Sequence, residues 1–233
     1  MLHAEPKIKI KGCPRSGTNF LEFLIYKNIH INPAYFDSHD IFGWKHGLMK
    51  PDDNYNYCII FKNIYAWLKS LYDYVELNKV WKFQNFFPFD KSETLSDFLK
   101  NPFVHIHLKN TEINEENPIQ YWNKMHENWY FTPIKGKKIF IHYENILVNA
   151  EEKINKIKTL LNYPIASRQI IYPSGQIQFQ GIHHKETSEN ISYHNYEYYK
   201  LQKYLEFFSS DDIKFVEDNY NYYLYEIMST SSV

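Results

Sequence analysis

"KIKIKGCPRSGTNFLEFLIYKN", residues 7–28, decides the fold. Its first five residues alternate Lys and Ile, which predicts a β-strand. From Thr18 on, Leu21, Leu24, Ile25 and Asn28 recur at helical spacing, which predicts a helix. Between them lies a GxxxxG turn, Gly12 to Gly17. A strand, a Gly-rich turn and a helix in that order point backbone N–H groups at one spot, and the helix N-terminus adds roughly half a positive charge there. An anion fits such a place. A Walker A loop would follow the second glycine with Lys and then Ser or Thr, for the terminal phosphates and for magnesium. Thr18 and Asn19 stand there instead. The turn keeps the anion cradle and drops the metal-ligating hydroxyl. That suits a sulfuryl group, which carries less negative charge than a terminal phosphoryl group and needs no divalent ion to shield it. Arg15, inside the turn, supplies a charged donor for a bridging or leaving oxygen.

Outward from this stretch, strands alternate with helices. "NYCIIF" (56–61) reads as a second buried strand and "IYAWLKSLYDYV" (64–75) as a helix with Ile64, Trp67, Leu68, Leu71 and Val75 on one stripe. "TLSDFLKN" predicts a short helix, and "PIQYWNKMHENWYF" (118–131) a longer one opened by proline. "KKIFIHYE" (137–144) predicts a third strand. "NAEEKINKIKTLLNY" (149–163) predicts a helix capped by Asn149, with Glu152 three residues on. From Tyr196 the chain reads as one or two helices with a break near "SSDD". "QIQFQGIHHKETSENISYH" (176–194) reads as a polar, aperiodic connector. This order predicts one α/β domain over residues 1–233: three layers, α/β/α, around a parallel sheet, in the manner of P-loop NTPases. Ligands of such sheets bind past the carboxyl ends of the strands, where residues 12–19 and 62–70 fall.

"PRSGTN" (14–19) resembles the 5′-phosphosulfate loop of the sulfotransferase superfamily. Its members take a sulfuryl group from 3′-phosphoadenosine 5′-phosphosulfate (PAPS). The resemblance implies that Pro14, Arg15, Ser16, Gly17, Thr18 and Asn19 bind the donor. It also implies a 3′-phosphate site of Arg and, eight residues on, Ser. Here Lys62 and Ser70 keep the spacing, with Lys in place of Arg's planar fork. Some members carry Lys-x-His between the two motifs. "GWKHG" (43–47) offers Lys45 and His46, adjacent rather than separated; the resemblance implies that His46 takes the acceptor's proton and that Lys45, with Arg15 and the loop N–H groups, stabilises charge on the equatorial and leaving oxygens. Other members use a carboxylate after the first helix, for which Asp37 and Asp40 are the alternates. A hydrophobic strand ending in Y-E-x-L is a further likeness, and Glu144 is expected to fix a loop by hydrogen bonding. Lys185, in the polar connector, is expected to supply a second cation for the 3′-phosphate. The family's Gly-rich C-terminal signature is not legible. The resemblance spans most of residues 8–162.

The implied reaction is a metal-free, in-line sulfuryl transfer to a hydroxyl or amine of a small molecule or glycan. Trp44, Trp67, Trp81 and Trp122 are candidates to line an acceptor site, with most of them expected in the core. A P-loop kinase-like transferase, or a non-catalytic binding protein on the same fold, is the alternative. The chain has a net charge of −1, so no global field draws in nucleic acid. Its 21 Tyr and 17 Phe are spread along its length, which points to compositional bias rather than to one aromatic surface. Adjacent His183 and His184 lack further ligands at metal spacing. Cys13 and Cys58 lie in or beside apolar runs and are expected reduced and buried, which favours a reducing compartment. No run reaches the roughly 20 apolar residues of a membrane span, and the N-terminus has no signal core. A cytoplasmic protein without a membrane anchor is expected; the oligomeric state is not legible.

Overall fold

The computed structural model describes residues 7–29, 45–49, 55–79, 94–104, 114–115, 117–163, 169–173, 176–180, 183–187 and 196–232. Strand β1 (Lys7–Lys11) leads into helix α1 (Thr18–Asn28), and β2 (Tyr55–Phe61) into α2 (Ile64–Lys79). Helix α3 (Leu95–Lys100) precedes two short strands, β3 (Phe103–Val104) and β4 (Asn114–Glu115), which pair antiparallel. Helix α4 (Pro118–Phe131) is followed by β5 (Lys138–His142), α5 (Tyr143–Val148) and α6 (Ala150–Leu160). Then come β6 (Gln176–Gln180), β7 (His183–Thr187), α7 (Tyr196–Lys200), a 3₁₀ turn (Lys203–Phe207), α8 (Ser210–Asn219) and α9 (Tyr222–Thr230).

The central sheet has three strands in the order β1-β2-β5, all parallel. Ile10 stands opposite Cys58, and Cys58 opposite Ile139, so the three strands share one register. Parallel strands are covered on both faces and therefore read as unbroken apolar runs. Strand β2 does so. Its Tyr57, Ile59 and Phe61 pack with α2, α4 and α9 through Trp67, Trp122 and Leu224. Its Cys58 and Ile60 pack with α1, α5 and α6 through Leu24, Ile146 and Ile157. The fold is thus α/β, with an apolar layer against each face of the sheet. In β1, Ile8 and Ile10 join the α1 side, while Lys9 and Lys11 are buried on the other, Lys9 with its ammonium 4.2 Å from the Tyr55 ring centre.

Local signals account for several element ends. The Asn117 side chain caps α4 by accepting from the N–H groups of Ile119 and Gln120, ahead of Pro118. Asn149 caps α6 by accepting from Glu152 N–H, and its amide donates to the Glu152 carboxylate. Ser209 and Asp212 form a reciprocal capping box at α8, which is the break expected near "SSDD". A further break at Tyr220 and Asn221 separates α8 from α9.

Three expectations need correction. Strand β5 ends at His142 rather than at residue 144, and Tyr143–Val148 is helical. Residues 176–180 and 183–187 form an antiparallel pair, with Phe179 opposite His184, where a connector was expected. Gln176, Ile177, Gln178, Phe179 and Gln180 alternate as a strand does, but the polar face carries glutamine and hides the period. Trp67 and Trp122 are fully buried core residues and line no acceptor site; Trp44 and Trp81 lie outside the described residues. Cys13 and Cys58 are both free and buried. Among the described residues no helix is long and apolar enough to cross a membrane.

Candidate anion site at the carboxyl edge of the sheet

The turn between β1 and α1 is held from three sides. Ser16 N–H donates to the Cys13 carbonyl at 3.0 Å, which closes the turn. Trp67 of α2 donates its indole N–H to the Pro14 carbonyl at 2.7 Å. The segment 45–49 grips Gly12 twice: Gly12 N–H donates to the Lys45 carbonyl at 3.1 Å, and the His46 ring donates through Nδ1 to the Gly12 carbonyl at 2.5 Å. That segment is itself tied to α4. Trp129 Nε1 donates to the Gly47 carbonyl, and Met49 N–H donates to the Asn128 side chain.

Both glycines of the turn are required. A Cβ on Gly12 would lie 2.5 Å from Ser16 Oγ and 2.8 Å from the Ile60 carbonyl oxygen. Gly17 has φ +98°, and a Cβ there would fall on the Tyr143 ring. Arg15 also has a left-handed backbone, φ +68°. An arginine in that region is uncommon and costs of order 1–2 kcal/mol. The tight turn, closed by its own hydrogen bond, over-determines this conformation.

Part of the polar content of the turn has no use within the described residues. Helix α1 begins at Thr18 with no side-chain cap and no acidic residue in its first turn. Its first N–H groups therefore lack the partners that Asn117 gives α4 or Asn149 gives α6. Ser16 is 1 % exposed, and its buried hydroxyl has no hydrogen-bond partner among the described residues. Arg15 Nε is likewise buried and without a partner among them. The guanidinium lies 4.8 Å from the Tyr74 ring centre on α2. Buried polar groups are normally satisfied, and leaving one unpaired costs about 1–3 kcal/mol. Two such groups, on adjacent residues, belong to the turn that leads into an uncapped helix N-terminus.

Lys45 is tied to α1. Its ammonium donates to Asn19 Oδ1 at 2.6 Å and sits 3.2 Å from both carboxylate oxygens of Glu22, which is fully buried. Asn19 and Glu22, three residues apart, share one face of α1. The pair anchors segment 45–49 to α1 and holds the Asn19 side chain.

Lys62 follows β2 at the same edge. It is 3 % exposed, its Nζ donates to the Tyr199 hydroxyl at 3.3 Å, and it lies 4.2 Å from the Tyr143 ring centre. Burial pulls its pKa from 10.5 down to about 7; nearby Glu144 offsets part of this and Arg15 adds to it. Glu144 accepts the Asn63 N–H at 3.2 Å, the loop-fixing bond expected of it. Beside it, His142 Nε2 is hydrogen-bonded to the Tyr225 hydroxyl at 2.7 Å and is 3.4 Å from the Glu144 carboxylate.

Of the residues expected at the site, Pro14 to Asn19, Lys45 and His46 come together around the turn, and Lys62 reaches its edge. Ser70 is half-buried, two turns into α2. Lys185 lies in β7. Asp37 and Asp40 lie outside the described residues. Tyr199, which covers Lys62, carried no signal in the sequence, and Tyr143, which covers Gly17, was visible only as the first residue of the Y-E-x-L likeness. Glu22 was missed: its spacing puts it on the face of Asn19, but nothing local pairs it with Lys45.

A second pair, Cys13 and His126, looks reactive by residue type and is not. Cys13 Sγ lies 3.9 Å from His126 Nδ1. Burial raises the thiol well above its ordinary value and lowers the imidazole to about 3, so both stay neutral. Among the described residues no group of three or more His, Cys, Asp or Glu side chains converges to hold a metal ion. Comparison with family models, with curated proteins and with solved structures finds no match to this chain.

Proposed function

We propose that the chain is a PAPS-dependent sulfotransferase with a P-loop-like, three-layer fold, acting on a hydroxyl or amine of a small molecule or glycan. The observation that carries this reading is the turn itself. The Ser16 hydroxyl and Arg15 Nε, buried and without a hydrogen-bond partner among the described residues, lie in the turn just ahead of a helix that has no side-chain cap and no acidic residue in its first turn. The residue at the magnesium position of a kinase loop, Asn19, is engaged by Lys45 instead. This donor set suits a singly charged sulfuryl ester better than a magnesium-bound triphosphate.

When bound, the donor supplies a sulfuryl group on a phosphosulfate anhydride. The turn holds the 5′ end through backbone N–H groups and Ser16. Arg15 donates to the oxygen that gains charge as the sulfur–oxygen bond to the leaving phosphate breaks. His46 takes the acceptor's proton as the new sulfur–oxygen bond forms. Its Nδ1–H bond to the Gly12 carbonyl makes Nε2 the basic nitrogen. Lys62 pairs with the 3′-phosphate of the donor.

The test is thermal stabilisation by adenosine 3′,5′-bisphosphate, by ATP with Mg²⁺, and by neither, in the protein and in Arg15→Ala. Stabilisation by the bisphosphate alone, weakened in Arg15→Ala, is expected. Stabilisation only by ATP with Mg²⁺ replaces the reading with a kinase-like one. No stabilisation by either leaves a fold without donor binding.

A further inference from the structure

A lysine buried at the edge of an anion site behaves differently from the arginine whose place it takes. Lys62 is 3 % exposed, and its only hydrogen bond among the described residues goes to the neutral Tyr199 hydroxyl. An ammonium has three N–H donors. The remaining contacts are the faces of two rings, Tyr143 at 4.2 Å and Tyr199 at 5.3 Å. No described carboxylate lies within ion-pair distance of its Nζ.

The charged and titratable groups around it come from three elements. Glu144 and Tyr143 face it from α5, Tyr199 from α7 and Arg15 from the turn. Burial outweighs Glu144 and brings the amine to about 7, with Arg15 pushing the same way. Burial also raises both tyrosines above their ordinary values, so neither phenol ionises near neutrality.

We infer that Lys62 is a proton-linked anion-binding residue: an anionic oxygen docking against its Nζ draws one proton from solvent onto the amine, and the resulting ion pair holds the ligand. The inference rests on the donor reading above. The balance is one neutral amine, one proton from the buffer and one anion giving one ion pair; no other bond forms or breaks. Arginine at this place stays charged and gives no such linkage. Affinity should therefore be level well below pH 7, begin to fall through pH 7 and approach about a tenfold loss per unit above about pH 8.

Isothermal titration with adenosine 3′,5′-bisphosphate tests this, between pH 7.5 and 9 where the phosphates are already dianionic. Two buffers of different ionisation enthalpy are needed, neither a phosphate nor a sulfonate. At pH 8 the protein should take up about 0.9 proton per ligand. In Lys62→Arg the uptake should fall close to zero and the affinity should lose its pH dependence. Lys62→Met, closer in shape, should bind more weakly with no uptake, and it serves if the arginine variant fails to fold. Wild-type binding with no uptake and equal affinity at pH 7.5 and 9 overturns the inference and leaves the donor reading standing. Uptake that persists in either variant overturns it too. No binding by the wild type at any pH overturns both.

Discussion

Replacing Gly17 with alanine tests the turn on which the site is built. Gly17 has φ +98°, and an L-residue in the left-handed region costs about 1–2 kcal/mol. The added methyl would fall on the Cδ2–Cε2 edge of Tyr143. That ring is 3 % exposed and is wedged against Phe20 and Tyr199, with centroids 6.0 and 5.3 Å away, so it has no open side to turn into. Forcing extra volume into packed surroundings costs about 1–3 kcal/mol. Together these give a loss of about 2–5 kcal/mol, a large part of the roughly 5–15 kcal/mol that holds a domain together. With a urea slope of about 2–3 kcal/mol per molar, the unfolding midpoint should fall by about 1–2 M. Adding Tyr143→Leu to the alanine variant should recover the packing part and leave the backbone part, a coupling that a double-mutant cycle measures. An alanine variant within about 0.5 kcal/mol of wild type would refute the geometry of the turn.

Lys45→Met should destabilise by about 3–5 kcal/mol, because it strips a fully buried carboxylate, Glu22, of its ammonium. The double variant with Glu22→Leu should regain more than half of that in urea unfolding; no recovery would contradict the pairing. His126 predicts acid sensitivity. Its folded pKa of about 3 lies below the unfolded 6.5, so between those values only the unfolded chain takes the proton. Stability should fall by about 1.4 kcal/mol per pH unit as pH drops through that window, and this contribution should be flat above it. His126→Phe should remove that slope; equal slopes in both proteins would contradict the assignment.

The parts legible in the sequence are those whose signal is local. The β1–turn–α1 unit shows because period-two and period-3.6 spacings meet at two glycines. Helix α6 shows because Asn149 and Glu152 spell its cap. Strand β2 shows because both its faces are buried and its residues are accordingly apolar. The missed parts depend on distant neighbours. The pairing of β6 with β7 hides behind glutamines. Helix α5 hides because it follows β5 directly, with no capping side chain or breaker between them, so only packing decides where the strand stops. Trp67 and Trp122 have the residue type of an acceptor pocket and the burial of a core. At the site, the placement of the turn and of His46 beside it was legible. The engagement of Lys45 by Glu22 was not, nor the roof of Tyr143 and Tyr199 over Lys62, since Tyr199 comes from 137 residues away.

The most direct measurement of the central claim is a crystal structure with adenosine 3′,5′-bisphosphate bound. The 5′-phosphate should sit at the N-terminus of α1, within hydrogen-bond distance of Ser16 Oγ and of the Arg15 guanidinium. A bisphosphate lodged elsewhere, with the turn closed over its own side chains, would contradict the account.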